Sequence, residues 1–74
     1  MNKEKLDAPI IGANGNVFNL INICANSLKG AGFENEAEEM KQRIFKSKSY
    51  DDALMIMQEY INPVEENLEV DNEL

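Results

Sequence analysis

From Val17 onward, apolar residues recur at i, i+3, i+4, i+7, i+8 and i+11: Val17, Leu20, Ile21, Cys24, Ala25 and Leu28. Only an α-helix brings such a set onto one side of the chain. Asn16 stands where a side chain can accept the first free amide. Gly30 and Gly32 follow the pattern, where a left-handed residue can close the helix. The spacing predicts a helix over about 17–29. A second is predicted over 35–47, opening at Asn35 with Glu38 three residues on, as in a capping box. Its inward face is Ala37, Met40 and Ile44, with Phe33 packing from just before it. Lys41, Arg43, Lys46 and Lys48 fall in its second half, where cations suit the helix dipole. A third is predicted over 50–61, capped by Ser49, with Asp51 and Asp52 in its first turn and Pro63 as its stop. Tyr50, Ala53, Leu54, Met57, Tyr60 and Ile61 form its apolar face.

Three short helices with short links imply an all-α, compact three-helix bundle over 17–63. The expected core is Val17, Leu20, Ile21, Cys24, Leu28, Phe33, Ala37, Met40, Ile44, Leu54, Met57 and Ile61, with Ile10, Ile11 and Phe18 sealing one end. Residues 1–16 read as an irregular arm, extended near Pro9 and turning at Asn14-Gly15. A hairpin of Ile10–Ala13 with Asn16–Phe18 stays open as an alternative for this stretch. Residues 64–74 read as an acidic tail, flexible or a short helix built on Val64 and Leu68.

With 74 residues, the chain has room for one small core. One cysteine, Cys24, forbids an internal disulfide and suits a reducing compartment. The absence of histidine removes His-based triads, Cys–His dyads and Cys/His zinc sites. No basic start leads into a long apolar stretch, so neither a secretory signal nor a membrane span is expected, and the compartment expected is the cytoplasm. The formal net charge is -7, from 14 acidic and 7 basic residues. Five of those acids lie in 64–74, which leaves nine against seven in the rest, so the body is close to neutral. No spacing of the Asp-x-Asp-x-Asp-Gly kind is present for calcium. The carboxylates Glu36, Glu38, Glu39, Asp51 and Asp52 sit at helix starts, where dipole stabilisation accounts for them. No catalytic residue, cofactor or metal is expected, and Cys24 reads as a buried inert thiol.

Two surface features remain. At about 100° per residue, Asn19, Asn22 and Asn26 share a sector opposite Val17, Cys24 and Leu28. Amides there cost helix propensity and could pair with a partner's backbone or with adenine edges; the competing account is drift in a chain with ten Asn. The second feature is Ala53-Leu54-Met55-Ile56-Met57, five apolar residues that no single helix face can hold. Met55, Ile56 and the off-stripe Phe45 form a candidate interaction surface, with a protein partner or a second copy as the expected occupant and Ile10 and Ile11 of the N-terminal arm as the competing cover. A single exposed Met, by contrast, needs no explanation. The basic run 41–48 has no basic residue on the following helix to extend it, so direct nucleic-acid binding is not expected.

The segment Leu28–Ala37, followed by Ser49-Tyr-Asp-Asp-Ala-Leu54, faintly resembles a tetratricopeptide helix hairpin, with Ala37 and Ala53 in the small packing positions. Lys41 and Ser49 depart from that pattern, and at most one and a half units fit. Gly12-Ala-Asn-Gly-Asn-Val-Phe-Asn-Leu20, Glu39-Met40, Ser49–Leu54 and Glu59-Tyr-Ile-Asn-Pro63 together resemble small uncharacterised helical proteins and domains of Firmicutes mobile elements, over about residues 8–63. That resemblance implies bacterial cytoplasm and accessory-element biology and assigns no activity. The expected function is therefore non-enzymatic protein–protein contact. The alternative is an acidic modulator of nucleic-acid-handling machinery encoded on a mobile element.

Overall fold

Helix α1 (Val17–Gly30) starts where Asn16 accepts the Phe18 amide on its side-chain oxygen at 2.8 Å. It ends in a Schellman turn: the Gly32 amide bonds the Lys29 carbonyl at 3.0 Å, and the Phe33 amide bonds the Leu28 carbonyl at 2.8 Å. Gly32 supplies the left-handed residue, at φ +91°. These contacts belong to a computed structural model that describes residues 5–65. Helix α2 (Glu34–Phe45) follows directly. Its N-cap is Phe33, not Asn35, and no side chain caps it, so the expected capping box does not form. The Schellman turn has already placed Phe33 in the capping position, two residues before Asn35, which therefore lies inside the helix. Helix α3 (Tyr50–Tyr60) opens where the Ser49 hydroxyl accepts the Asp52 amide at 3.0 Å.

The expected all-α bundle is overturned by two strands. Strand β1 (Leu6–Ile11) pairs with strand β2 (Ile61–Glu65), in parallel, so the fold is α/β with the order β1-α1-α2-α3-β2. Leu6 stands opposite Ile61, Asp7 opposite Asn62 and Ala8 opposite Pro63; the register then slips, and Ile11 stands opposite Glu65. Both strands carry a proline, which cannot donate to a ladder, and a two-stranded sheet tolerates this because each strand has an open side. Pro63 thus lies inside a strand. The helix stops earlier, at Ile61, whose amide still bonds the Met57 carbonyl while its own backbone is already extended (φ -134°, ψ 162°). No linker separates α3 from β2.

The arm expected over 1–16 therefore contains β1, and no hairpin joins 10–13 to 16–18, because Val17 and Phe18 begin α1. The turn after β1 is centred on Ile11-Gly12, not Asn14-Gly15. The Ala13 amide bonds the Ile10 carbonyl at 3.3 Å, and Gly12 has φ +89°, the type II arrangement. Asn14 acts through its side chain, accepting the Asn16 amide at 2.9 Å. Of the tail expected over 64–74, Val64 and Glu65 belong to β2; the remainder, including Leu68, lies outside the described residues.

The core lies where α1 meets α2 and β1, and where α3 meets α2 and β2. Leu20, Ile21, Cys24, Leu28, Ala37, Met40, Ile44, Met57 and Ile61 are buried as expected, joined by Ala8, Ala25 and Ala53. Val17 and Leu54 are only half-buried. Phe33 is 46 % exposed, since its backbone, committed to two helix ends, holds the ring at the rim. Ile10 packs against the core from its edge, but Ile11 and Phe18 are exposed and seal nothing. Ala8, fully buried between β2 and α1, occupies the interior position on β1.

Ile61 joins α3 to the sheet and is fully buried, so Ile61→Ala should cost about 2–5 kcal/mol. Urea denaturation should show that loss, together with faster amide exchange in β1. Gly32→Ala should destabilise by about 1 kcal/mol because of its positive φ. Gly30→Ala, where an added Cβ meets open space at ordinary φ, should not. Thermal melts of the pair check this.

Candidate functional site

The polar anchors of α3 fix the surface around it. Arg43 on α2 grips Glu59 with both nitrogens, at 2.7 and 3.1 Å, and donates to the Tyr60 hydroxyl at 3.2 Å. Its guanidinium lies 5.7 Å from the Tyr60 ring centre. The Arg43 hydrogen bond holds the Glu59 carboxyl below its ordinary range, and the same contact raises the Arg43 guanidinium. Burial, working against the Arg43 hydrogen bond, raises the Tyr60 phenol. Pairing of Arg43 with Glu59, and burial of Tyr60, explain these shifts without a catalytic task. At the other end of α3, the Tyr50 hydroxyl donates to the Gly15 carbonyl at 2.5 Å and ties the loop before α1 to the start of α3.

Between these anchors run two adjoining grooves that share Ser47 and Lys48. The first, about 380 Å³, lies between the start of α1, the end of α2 and the start of α3. Val17, Phe18, Ile44, Phe45, Tyr50 and Ala53 give it an apolar lining, and among the described residues Lys48 is its one charged lining residue. The second, about 440 Å³, runs along α3, with Met55 and Ile56 flanked by Arg43, Lys46 and Lys48 on one side and Asp52 and Glu59 on the other.

Of the expected surface, Met55 and Ile56 come together in the second groove, with Met55 66 % exposed and Ile56 half-buried. Phe45, 61 % exposed, turns into the first groove instead. Sequence reasoning missed Phe18 and Tyr50 as members of this surface. A signal for Phe18 existed: one turn on, its row of α1 continues as Asn22 rather than as an apolar residue. Nothing in the sequence places Tyr50 beside it, since that depends on the angle of the turn from α2 to α3. On the polar stripe of α1, Asn22 and Asn26 are exposed, but Asn19 is half-buried and donates its amide to the Asn14 carbonyl at 2.9 Å. One of the three is therefore committed to the loop that precedes the helix.

Among the described residues, no cluster of three Asp, Glu or Cys side chains could hold a metal ion. No described helix is long and apolar enough to cross a membrane. Comparison with protein-family models, with curated proteins and with solved structures finds no match.

Cys24 is fully buried, and burial pushes its thiol from its ordinary value of 9.0 up to about 11. The folded state therefore holds the proton more tightly than the unfolded state. That contribution to stability is complete below about pH 9 and is lost as pH rises toward about 11. Between those values the melting temperature of the wild type should fall more steeply than that of Cys24→Ala. Iodoacetamide at pH 8 should alkylate Cys24 only after unfolding.

Proposed function

We propose that this protein acts by protein–protein contact, through the face that carries Phe18, Phe45, Tyr50 and Met55. The observation that supports the reading is their grouping. Four of the six large apolar side chains exposed among the described residues line two grooves that meet at Ser47 and Lys48. Apolar side chains scattered singly over a surface need no explanation, whereas a contiguous set invites a partner. The rim is polar and mixed in charge, from Arg43, Lys46 and Lys48 to Asp52 and Glu59, as protein interfaces commonly are. Three aromatic anchors beside an adaptable Met suit a binding surface better than a reaction centre. The reading is non-enzymatic. The compartment proposed is the bacterial cytoplasm, and it rests on the resemblance to mobile-element proteins and on the single cysteine.

A photoreactive amino acid placed separately at Phe45, Met55 and Asn26 tests this in living bacteria. Phe45 and Met55 should give one shared, discrete adduct with another protein, and Asn26, exposed two turns further along α1 and lining neither groove, should not. Excess unlabelled wild type should compete the adduct away, and the double variant Phe45→Glu, Met55→Glu should fail to compete. Equal adducts from all three positions, or none, would overturn the proposal.

A further inference from the structure

Between β1 and α1 the chain runs Gly12-Ala-Asn-Gly-Asn16, and of its ten asparagines only Asn14 is followed by glycine. Such a pair can react with itself. The backbone nitrogen of the second residue attacks the side-chain carbonyl carbon of the first and closes a succinimide ring. Glycine leaves that approach open because it has no Cβ. We propose that Asn14 is a self-modification site: the folded loop promotes its cyclisation onto Gly15, which releases ammonia and leaves aspartate or isoaspartate at position 14.

Four observations carry the proposal. The first is access: Asn14, Gly15 and Asn16 are all exposed, so water and hydroxide reach them. The second is the nucleophile. Among the described residues the Gly15 amide donates to no acceptor, so the loss of its proton costs the fold no hydrogen bond. The third is the electrophile. The Asn16 amide donates to Asn14 Oδ1 at 2.9 Å, and this is the oxygen that gains negative charge as Cγ becomes tetrahedral. The fourth is Asn19, whose Nδ2 donates to the Asn14 backbone carbonyl at 2.9 Å. That carbonyl and the Gly15 N–H belong to one peptide unit, so a donor on the oxygen stabilises the amide anion that attacks. Asn19 is thus a positioning residue for the reacting peptide.

Hydroxide takes the Gly15 amide proton, and the nitrogen bonds Asn14 Cγ. The Cγ–Nδ2 bond breaks, and ammonia leaves with a proton returned by water. Water then opens the ring. Addition at Cγ gives aspartate; addition at the backbone carbonyl gives isoaspartate, with one methylene more in the main chain. α1 has no acidic residue in its first turn, so either new carboxylate meets a favourable helix end. The isoaspartyl form also shifts Gly15 against Tyr50, whose hydroxyl donates to the Gly15 carbonyl.

Peptide mapping by mass spectrometry tests this on the full-length chain, kept in buffer and in denaturant at the same pH. Asn14 should convert to both products at least as fast in buffer as in denaturant, with a rate proportional to hydroxide. Asn22 and Asn26, inside α1, should stay unchanged in buffer. Asn19→Ala should slow conversion several-fold in buffer and leave the rate in denaturant as it was, in a chain whose amide spectrum shows α1 intact. Gly15→Ala, whose Cβ would meet the Tyr50 hydroxyl at an ordinary 3.4 Å, should slow it strongly in both. Slower conversion in buffer than in denaturant would mean that the fold protects Asn14, and the proposal is then overturned. It is overturned equally by an unchanged rate for Asn19→Ala in buffer, or by conversion of Asn22 and Asn26 at the rate of Asn14.

Discussion

Ala8 and Ile61, each fully buried on one of two paired strands, mark the point where the two ends of the described chain meet. Their strands share a hydrogen-bonded ladder, and the three helices form the connection between them. Parallel strands cannot be joined by a tight turn, so some crossover is obligatory, and here it comprises the whole helical body. The arrangement fixes which faces of the helices can be buried. α1 packs on β1 and α3 on β2, while α2 bridges the two helices. The remaining sides, at the start of α1 and along the outer face of α3, have no sheet to cover them. The exposed aromatic rings and Met55 lie there.

The helices were legible in the sequence because their information is local. Asn16 and Ser49 cap as their side chains dictate, and the apolar stripes of α1 and α2 are buried nearly residue for residue. The sheet was not legible. Each strand is short and holds a proline, and Ile61-Asn-Pro-Val reads equally well as a helix end followed by a stop. The pairing joins residues more than fifty positions apart, and no spacing within either strand encodes it. Phe33 shows a further limit. Its apolar side chain argues for burial, but the backbone turn that closes α1 outweighs it.

The candidate surface divides in the same way. That Met55 and Phe45 stand apart from the core stripes follows from helical geometry, and both are exposed. That they line separate grooves, and that Phe18 and Tyr50 share one with Phe45, follows from the turn at Lys46–Ser49 and from the Tyr50–Gly15 hydrogen bond. Neither has a signature in the periodicity. Arg43 is similar: helix-dipole logic explains a cation near the end of α2, but its two-pronged grip on Glu59 depends on how α3 returns along α2.

The closing strand pair also sets an order of events during synthesis. β1 emerges from the ribosome first but has no partner until β2 follows, after all three helices. Contacts so distant along the chain must bear the entropy of closing a long loop before they return any stabilisation. The α1–α2 hairpin, by contrast, can form while the rest is still being translated. In that interval Ala8, Ile10 and the inner face of α1 lack their cover, and Ile61 has not yet been made. The nascent chain therefore lacks its closing contact until β2 has left the exit tunnel, and the pairing of β2 with β1 is the step that locks the described fold.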